Sequence, residues 1–274
     1  MEIKKSLPYY YLSAMVLFFA IGALLSACQK TNTTTTVSGI NKPVVEGYLV
    51  PGTKTLVKVY YQKYLDDTIT YGFPITGLKL NISDGTNTVQ LVETTPGNYT
   101  WGDTTFIQEK KTYTLNFTYQ GSTVSSKTTV PDKPTGFKAS DTLQRVPFRG
   151  AGITGSTFVP LTFSWTSPAS WFYLMVYKNT STAMYPTNAN SNPYHDNETL
   201  IGQVAIFNTQ PTLFAYTGTY KVQLFHINQE YNDAISAGGG TSLSLTNPST
   251  NIVNGLGIFT SMQAATLMLD VQLQ

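Results

Sequence analysis

Between Thr112 and Tyr119 the chain reads TYTLNFTY. In an extended chain Tyr113, Leu115, Phe117 and Tyr119 fall on one side and Thr112, Thr114, Asn116 and Thr118 on the other. Successive side chains of a strand point to opposite faces, so a strict period of two predicts a strand with one face buried and one wet. That pattern recurs with turn residues between the repeats, and it points to an all-β chain of half-buried strands.

The surrounding segments extend the reading. PVVEGYLV (Pro43–Val50) and TLVKVYYQKYL (Thr55–Leu65) read as strands separated by the turn pair Pro51-Gly52. LKLNISDG and TVQLVE form a hairpin around Asp84-Gly85, PGNYTW supplies another turn and short strand, and Gly121 turns TYTLNFTY into STVSSKTTV. Short strands at this spacing predict a β-sandwich. PDKP (Pro131–Pro134) reads as a boundary, after which LTFSW (Leu161–Trp165) carries Leu161, Phe163 and Trp165 inward. WFYLMVYK, a polar loop from Asn179 to Thr199, GQVAIFN, GTYKVQLFHIN and ATLMLDVQL complete a second set, with one short helix at Asn228–Ser236. The stretch FSWTSPASWFYLMVY resembles the fibronectin-type-III pattern of a tryptophan strand followed by a tyrosine-bearing strand. The expected fold is all-β: two consecutive β-sandwich domains of immunoglobulin or fibronectin-III type over residues 42–131 and 132–274, with one short helix near the C-terminus.

The first residues carry a different signal. Lys4 and Lys5 precede an apolar run ending in small residues, the parts of a secretory signal peptide over residues 1–27. Its end, Leu25-Ser26-Ala27-Cys28, resembles the bacterial lipobox, in which the cysteine is alkylated by a diacylglyceryl group and becomes the new N-terminus. A thiolate is a far better nucleophile than a hydroxyl, which is why the position takes cysteine. Two or three acyl chains anchor stably where one holds only marginally. Residues 28–41 are expected to be the lipidated Cys28 and a Thr-rich flexible tether. Gln29 follows the cysteine, which favours the outer membrane, and QKTNTTTT leaves open whether the protein faces outward or the periplasm.

Cys28 is the only cysteine, so neither an intramolecular disulfide nor a thiolate zinc cluster is available. The formal charge is +2, of which Lys4, Lys5 and Glu2 contribute +1, leaving the rest close to neutral. No basic field exists to hold nucleic acid, and membrane contact is expected through the lipid alone.

Taken together the lipobox, PVVEGYLVPG, ITGLKLNISDG, ETTPGNYTW, KKTYTLNFTYQGSTVSSKTTVP and NPSTNIVNGLGIF (Asn247–Phe259) are similar, in order and spacing, to a Bacteroidota lipoprotein family known as domain of unknown function 4249. The resemblance implies a cell-envelope protein, with association to TonB-dependent outer-membrane receptors as an inference. It supplies no catalytic residues.

The chemistry-bearing residues are sparse. His226 shares a face with Tyr220, Val222 and Leu224 and reads as a hydrogen-bonded core or edge histidine. His195 lies beside Asp196 and Glu198, which could bind a divalent cation, but a loop of this composition reads as solvated, and no metal or cofactor is expected. There is no Gly-x-Ser-x-Gly elbow, nothing sets Asp66-Asp67 opposite Glu93, and ISAGGGTS (Ile235–Ser242) lacks the lysine of a phosphate loop. Asp67-Thr68-Ile69, Asp103-Thr104-Thr105 and Asp141-Thr142-Leu143 resemble a short O-glycosylation pattern. Asn254-Gly255 is the best short hairpin signal in the chain.

Tyr60, Tyr61, Tyr64 and Trp101 are the candidate ligand-binding residues, as aromatic platforms on the first domain. The expected function is a non-catalytic, lipid-anchored binding or accessory module at the outer membrane. The alternative is a surface hydrolase acting on glycans or peptides.

Overall fold

Turn chemistry sets the first pairings. Strand β1 (Pro43–Leu49) reverses at Pro51-Gly52 into β2 (Thr55–Tyr61). Proline fixes the first turn position, and Gly52, at φ +79°, takes the left-handed second one. β3 (Asn81–Ser83) and β4 (Thr88–Gln90) are joined through Asp84, whose carboxylate accepts from the Thr86 and Asn87 N–H groups at 3.0 and 2.7 Å. Pro96-Gly97 repeats the first turn between β5 (Val92–Thr95) and β6 (Asn98–Trp101). Gln120-Gly121, both at positive φ, close the hairpin of β7 (Thr112–Tyr119) and β8 (Ser122–Thr129), as a two-residue type I′ turn requires.

The computed structural model describes residues 42–63, 68, 72–150, 157–189, 197–237 and 249–274. The four-stranded sheet β4-β3-β7-β8 lies across from the sheet containing β1, β2, β6 and β5. Val45, Leu49, Val57, Val59 and Tyr99 from one sheet meet Ile82, Tyr113, Leu115, Phe117 and Val124 from the other in one buried core. The alternating residues of β7 do what their period predicts: Tyr113, Leu115, Phe117 and Tyr119 are all buried.

A second sandwich follows Pro131–Pro134. β9 (Thr135–Ala139), β11 (Thr162–Thr166) and β14 (Ile206–Asn208) make a three-stranded sheet. It faces β12 (Phe172–Asn179), β13 (Asn197–Gly202), β15 (Gly218–Ile227), β16 (Leu256–Leu273) and β10 (Leu143–Val146), which runs parallel to the end of β16. Phe163, Trp165, Tyr173, Tyr177, Phe214, Tyr220 and Leu269 fill this core. β9 and β10 were not expected from the sequence, and the end of the anticipated polar loop is edge strand β13. The expected all-β architecture of two sandwiches with one short helix is what the chain adopts; helix α1 spans Gln229–Ala237.

The two sandwiches share a strand. β16 is 18 residues long. Leu256–Ser261 pairs in parallel with β1, and Met262–Val271 pairs antiparallel with β15. Its odd-numbered side chains serve both cores: Phe259 enters the first, Leu269 and Val271 the second. Gly47 and Gly257 make the parallel contact possible. A Cβ on Gly47 would lie 2.9 Å from the Phe259 ring, and one on Gly257 would lie 2.1 Å from the Val45 carbonyl oxygen. The Asn254-Gly255 turn does not close a hairpin. Val253 bridges to Ser125 of β8 and Leu256 begins pairing with β1, so the turn carries the chain from one sheet of the first sandwich to the other.

On the other face of the shared sheet, Leu174, Ile227 and Met262 form a small buried cluster with Tyr48, Phe172, Phe225 and Tyr231 of α1. A polar knot pins the start of α1 beside the strand switch. Glu230 accepts from the hydroxyls of Thr128 and Thr260 at 2.9 and 3.1 Å, and the Asn228 amide donates to Thr128, the Thr129 carbonyl and Ser261.

Candidate functional site

Of the residues singled out in the sequence, Cys28, Tyr64, Asp66, Asp67, His195 and Asp196 lie outside the described residues. Tyr60 is half-buried near the end of β2, opposite Val44 and bridged to Pro74. Tyr61 is 41% exposed, packs edge-on against Tyr119 at 6.5 Å between ring centroids, and donates its N–H to the Phe73 carbonyl. Trp101 is elsewhere: it pairs with Thr55 at the opposite end of β2. A strand rises about 3.3 Å per residue, so Trp101 and Tyr61 are separated by roughly 20 Å. Trp101 packs against the first core with its indole nitrogen buried and unpartnered. The aromatics expected to act together are therefore split between two ends of one strand.

Among the concavities that border the first sandwich, a small one of about 220 Å³ lies over Glu46, Tyr48, Lys54 and Lys58, and two others are larger. One, of about 330 Å³, is lined by Lys58, Tyr60, Pro74, Pro96, Gly97 and Asn98. Glu93, weighed as a catalytic carboxylate, instead clamps its backbone: its two oxygens accept from the N–H groups of Gly97 at 2.9 Å and Gly77 at 2.8 Å.

The larger concavity, about 520 Å³, opens where the chain leaves the four-stranded sheet. β3 pairs with β7 only from Ser83 to Asn81, while β7 runs on to Tyr119. The residues before β3 are drawn toward the facing sheet. The Leu78 N–H donates to the Tyr99 hydroxyl at 3.1 Å, that hydroxyl donates to the Ile75 carbonyl at 2.8 Å, and Gly77 is held by Glu93. A cleft results, lined by Lys79, Asn81, Asn116, Thr118 and Thr123. No sequence signal marked it, because its walls meet only through this divergence.

His226 is buried in β15. Its Nδ1 pairs with the Asp132 carbonyl at 2.8 Å, and its ring stacks on Trp171 with centroids 3.9 Å apart. Burial pushes its pKa below the ordinary 6.5, against a smaller upward pull from Asp132. The Asp132 carboxylate is held low by Lys110, 3.0 Å away. The histidine is thus a packed, hydrogen-bonded joint between the linker and β15. Among the described residues no three His, Cys, Asp or Glu side chains group as metal ligands.

Known proteins add a family. The family described as "Domain of unknown function (DUF4249)" matches residues 31–267. No curated protein matches. Among solved structures, the chain is similar to the FN1–FN3 domains of chicken CNTN1 at 10% identity and a TM-score of 0.26, over 70% of this chain and 62% of that one. The chain thus spans less than two-thirds of that structure.

Proposed function

Because the chain belongs to the DUF4249 family of domains of unknown function, we propose that it is a lipid-anchored cell-envelope module, non-catalytic, that binds or assists at the outer membrane and works with a TonB-dependent transporter. Cys28 carries the anchor, and the protein meets the membrane through that lipid alone.

The observation that carries this reading is the shared strand. β16 makes one body of two sandwiches that would otherwise pivot at Pro131–Pro134. Two sandwiches joined in this way suit the presentation of a fixed surface to a membrane partner. Among the described residues, the two larger concavities are lined by amides, hydroxyls, prolines and apolar side chains with one lysine each and no carboxylate or histidine, which suits holding a ligand more than transforming it. Cys28→Ser tests the anchor: the variant accumulates as unprocessed precursor, and normal processing with unchanged detergent partitioning contradicts it. The purified protein turns over neither oligosaccharides nor peptides; measurable hydrolysis would replace the module with an enzyme.

A further inference from the structure

The outward face of the four-stranded sheet is polar along its whole length, yet its two ends differ. At one end most hydroxyls find a partner: Thr88 donates to Ser83 at 3.0 Å, Ser83 to the Asn87 carbonyl at 3.1 Å, and Thr112 pairs with Thr129 at 2.8 Å, with Thr114 between them the exception. At the cleft end they do not. The side chains of Lys79, Asn116, Thr118 and Thr123 make no hydrogen bond to any described residue, and the Asn81 amide reaches only the Lys79 carbonyl at 3.5 Å. Asn81 and Asn116 are directly paired across β3 and β7, and Thr118 and Thr123 across β7 and β8. Two amides and two hydroxyls therefore line one cleft with their donors and acceptors unspent, and Lys79 adds the one charged donor at its rim.

The geometry points to a glycan-binding site in this cleft, a deepening that rests on the reading of the protein as a binding module. Each amide offers two donors and one acceptor, and each hydroxyl can do either. That set complements the adjacent hydroxyls of a sugar, which also donate and accept. The volume lies within the range of small-ligand sites. A peptide fits less well. The edge of β7 left open by β3 is only Phe117–Tyr119, too short for strand addition. Phe117 and Tyr119 are both buried inward, and among the described residues only Leu78 and Phe117 give the cleft apolar lining, so alternate side chains of an added strand find little apolar surface.

The test uses the full-length, lipidated protein in detergent. It is applied to an array of immobilised oligosaccharides and a matched array of unstructured peptides, followed by calorimetric titration with any oligosaccharide retained. Asn116→Ala and Lys79→Ala should each weaken that oligosaccharide about three- to tenfold, the worth of one or two hydrogen bonds. Thr112→Ala, on the same face but outside the cleft, should leave binding unchanged. Circular dichroism and the urea midpoint confirm that each variant is folded. Retention of no oligosaccharide, retention of peptides in their place, or binding indifferent to both cleft substitutions overturns the assignment. Oligosaccharide binding accompanied by hydrolysis would keep the cleft and overturn the non-catalytic reading, so the two fail separately.

Discussion

At the scale of single residues, what a buried polar group touches decides its worth. Tyr99 and Tyr177 are both fully buried, but their hydroxyls are used differently. Tyr99 holds the 75–78 segment by donating to Ile75 and accepting from Leu78, whereas Tyr177 reaches the Met175 sulfur, a weak acceptor. Tyr99→Phe should cost about 1–3 kcal/mol, because it strands a backbone donor and a carbonyl. Tyr177→Phe should change stability by less than about 1 kcal/mol. Paired urea titrations read both. His226 gives a pH dependence with a defined sign. Burial holds its folded pKa below 6.5, so the unfolded chain takes up the proton first. Stability is fully present above about pH 6.5 and falls as pH drops below it. The groups facing this imidazole are the Asp132 carbonyl and carboxylate, with Lys110 beyond. Urea midpoints at pH 7.5 and 5.5 should show the loss in the parent and less of it in His226→Gln; an equal loss in both removes His226 as the cause.

At the scale of elements, β16 is the one that organises the chain, and it depends on glycine. Gly257 sits at φ +91° with the Val45 carbonyl where a Cβ would go. Gly257→Ala should destabilise by about 3 kcal/mol or more, through backbone strain plus a contact that cannot relax sideways. A thermal melt tests this, and a wild-type midpoint would mean that the parallel pairing is not as described. The hairpins and the strand β7 were legible in the sequence because their causes are local: Pro51-Gly52, Asp84-Gly85, Gly121 and a strict alternation. β16 was legible only at its end, ATLMLDVQL. Between Phe259 and Gln263 five consecutive residues are buried, since one face serves a core and the other meets α1, and the period of two disappears. Its partner β1 is some two hundred residues away, which no local pattern encodes. Asn254-Gly255 misled for the same reason: its turn chemistry is real, but a facing sheet, not a neighbouring strand, receives the chain. The cleft was invisible because Asn116 and Thr118 look like Thr112 until the cross-strand pairing uses the Thr112 hydroxyl and leaves the others free. Trp101 looked like a neighbour of Tyr61 because segments adjacent in sequence can still lie at opposite ends of a strand.

At the scale of the whole molecule, the shared strand predicts how the protein unfolds and how it works. Removing residues after 131 deletes the strand beside β1 and takes Phe259 out of the first core, leaving a new unpaired edge. A fragment of residues 42–131 should therefore fail to fold alone, and the intact protein should melt in one transition. Independent folding of that fragment would show two separable domains. Two sandwiches joined through one strand also suit the accessory role proposed at the membrane. The measurement that bears most directly on that role is a gentle-detergent pull-down of the tagged, lipidated protein from outer membranes, with everything that accompanies it identified and quantified. A TonB-dependent barrel recovered in stoichiometric amount is the predicted result. Recovery of the protein alone, fully lipidated and folded, would contradict the account.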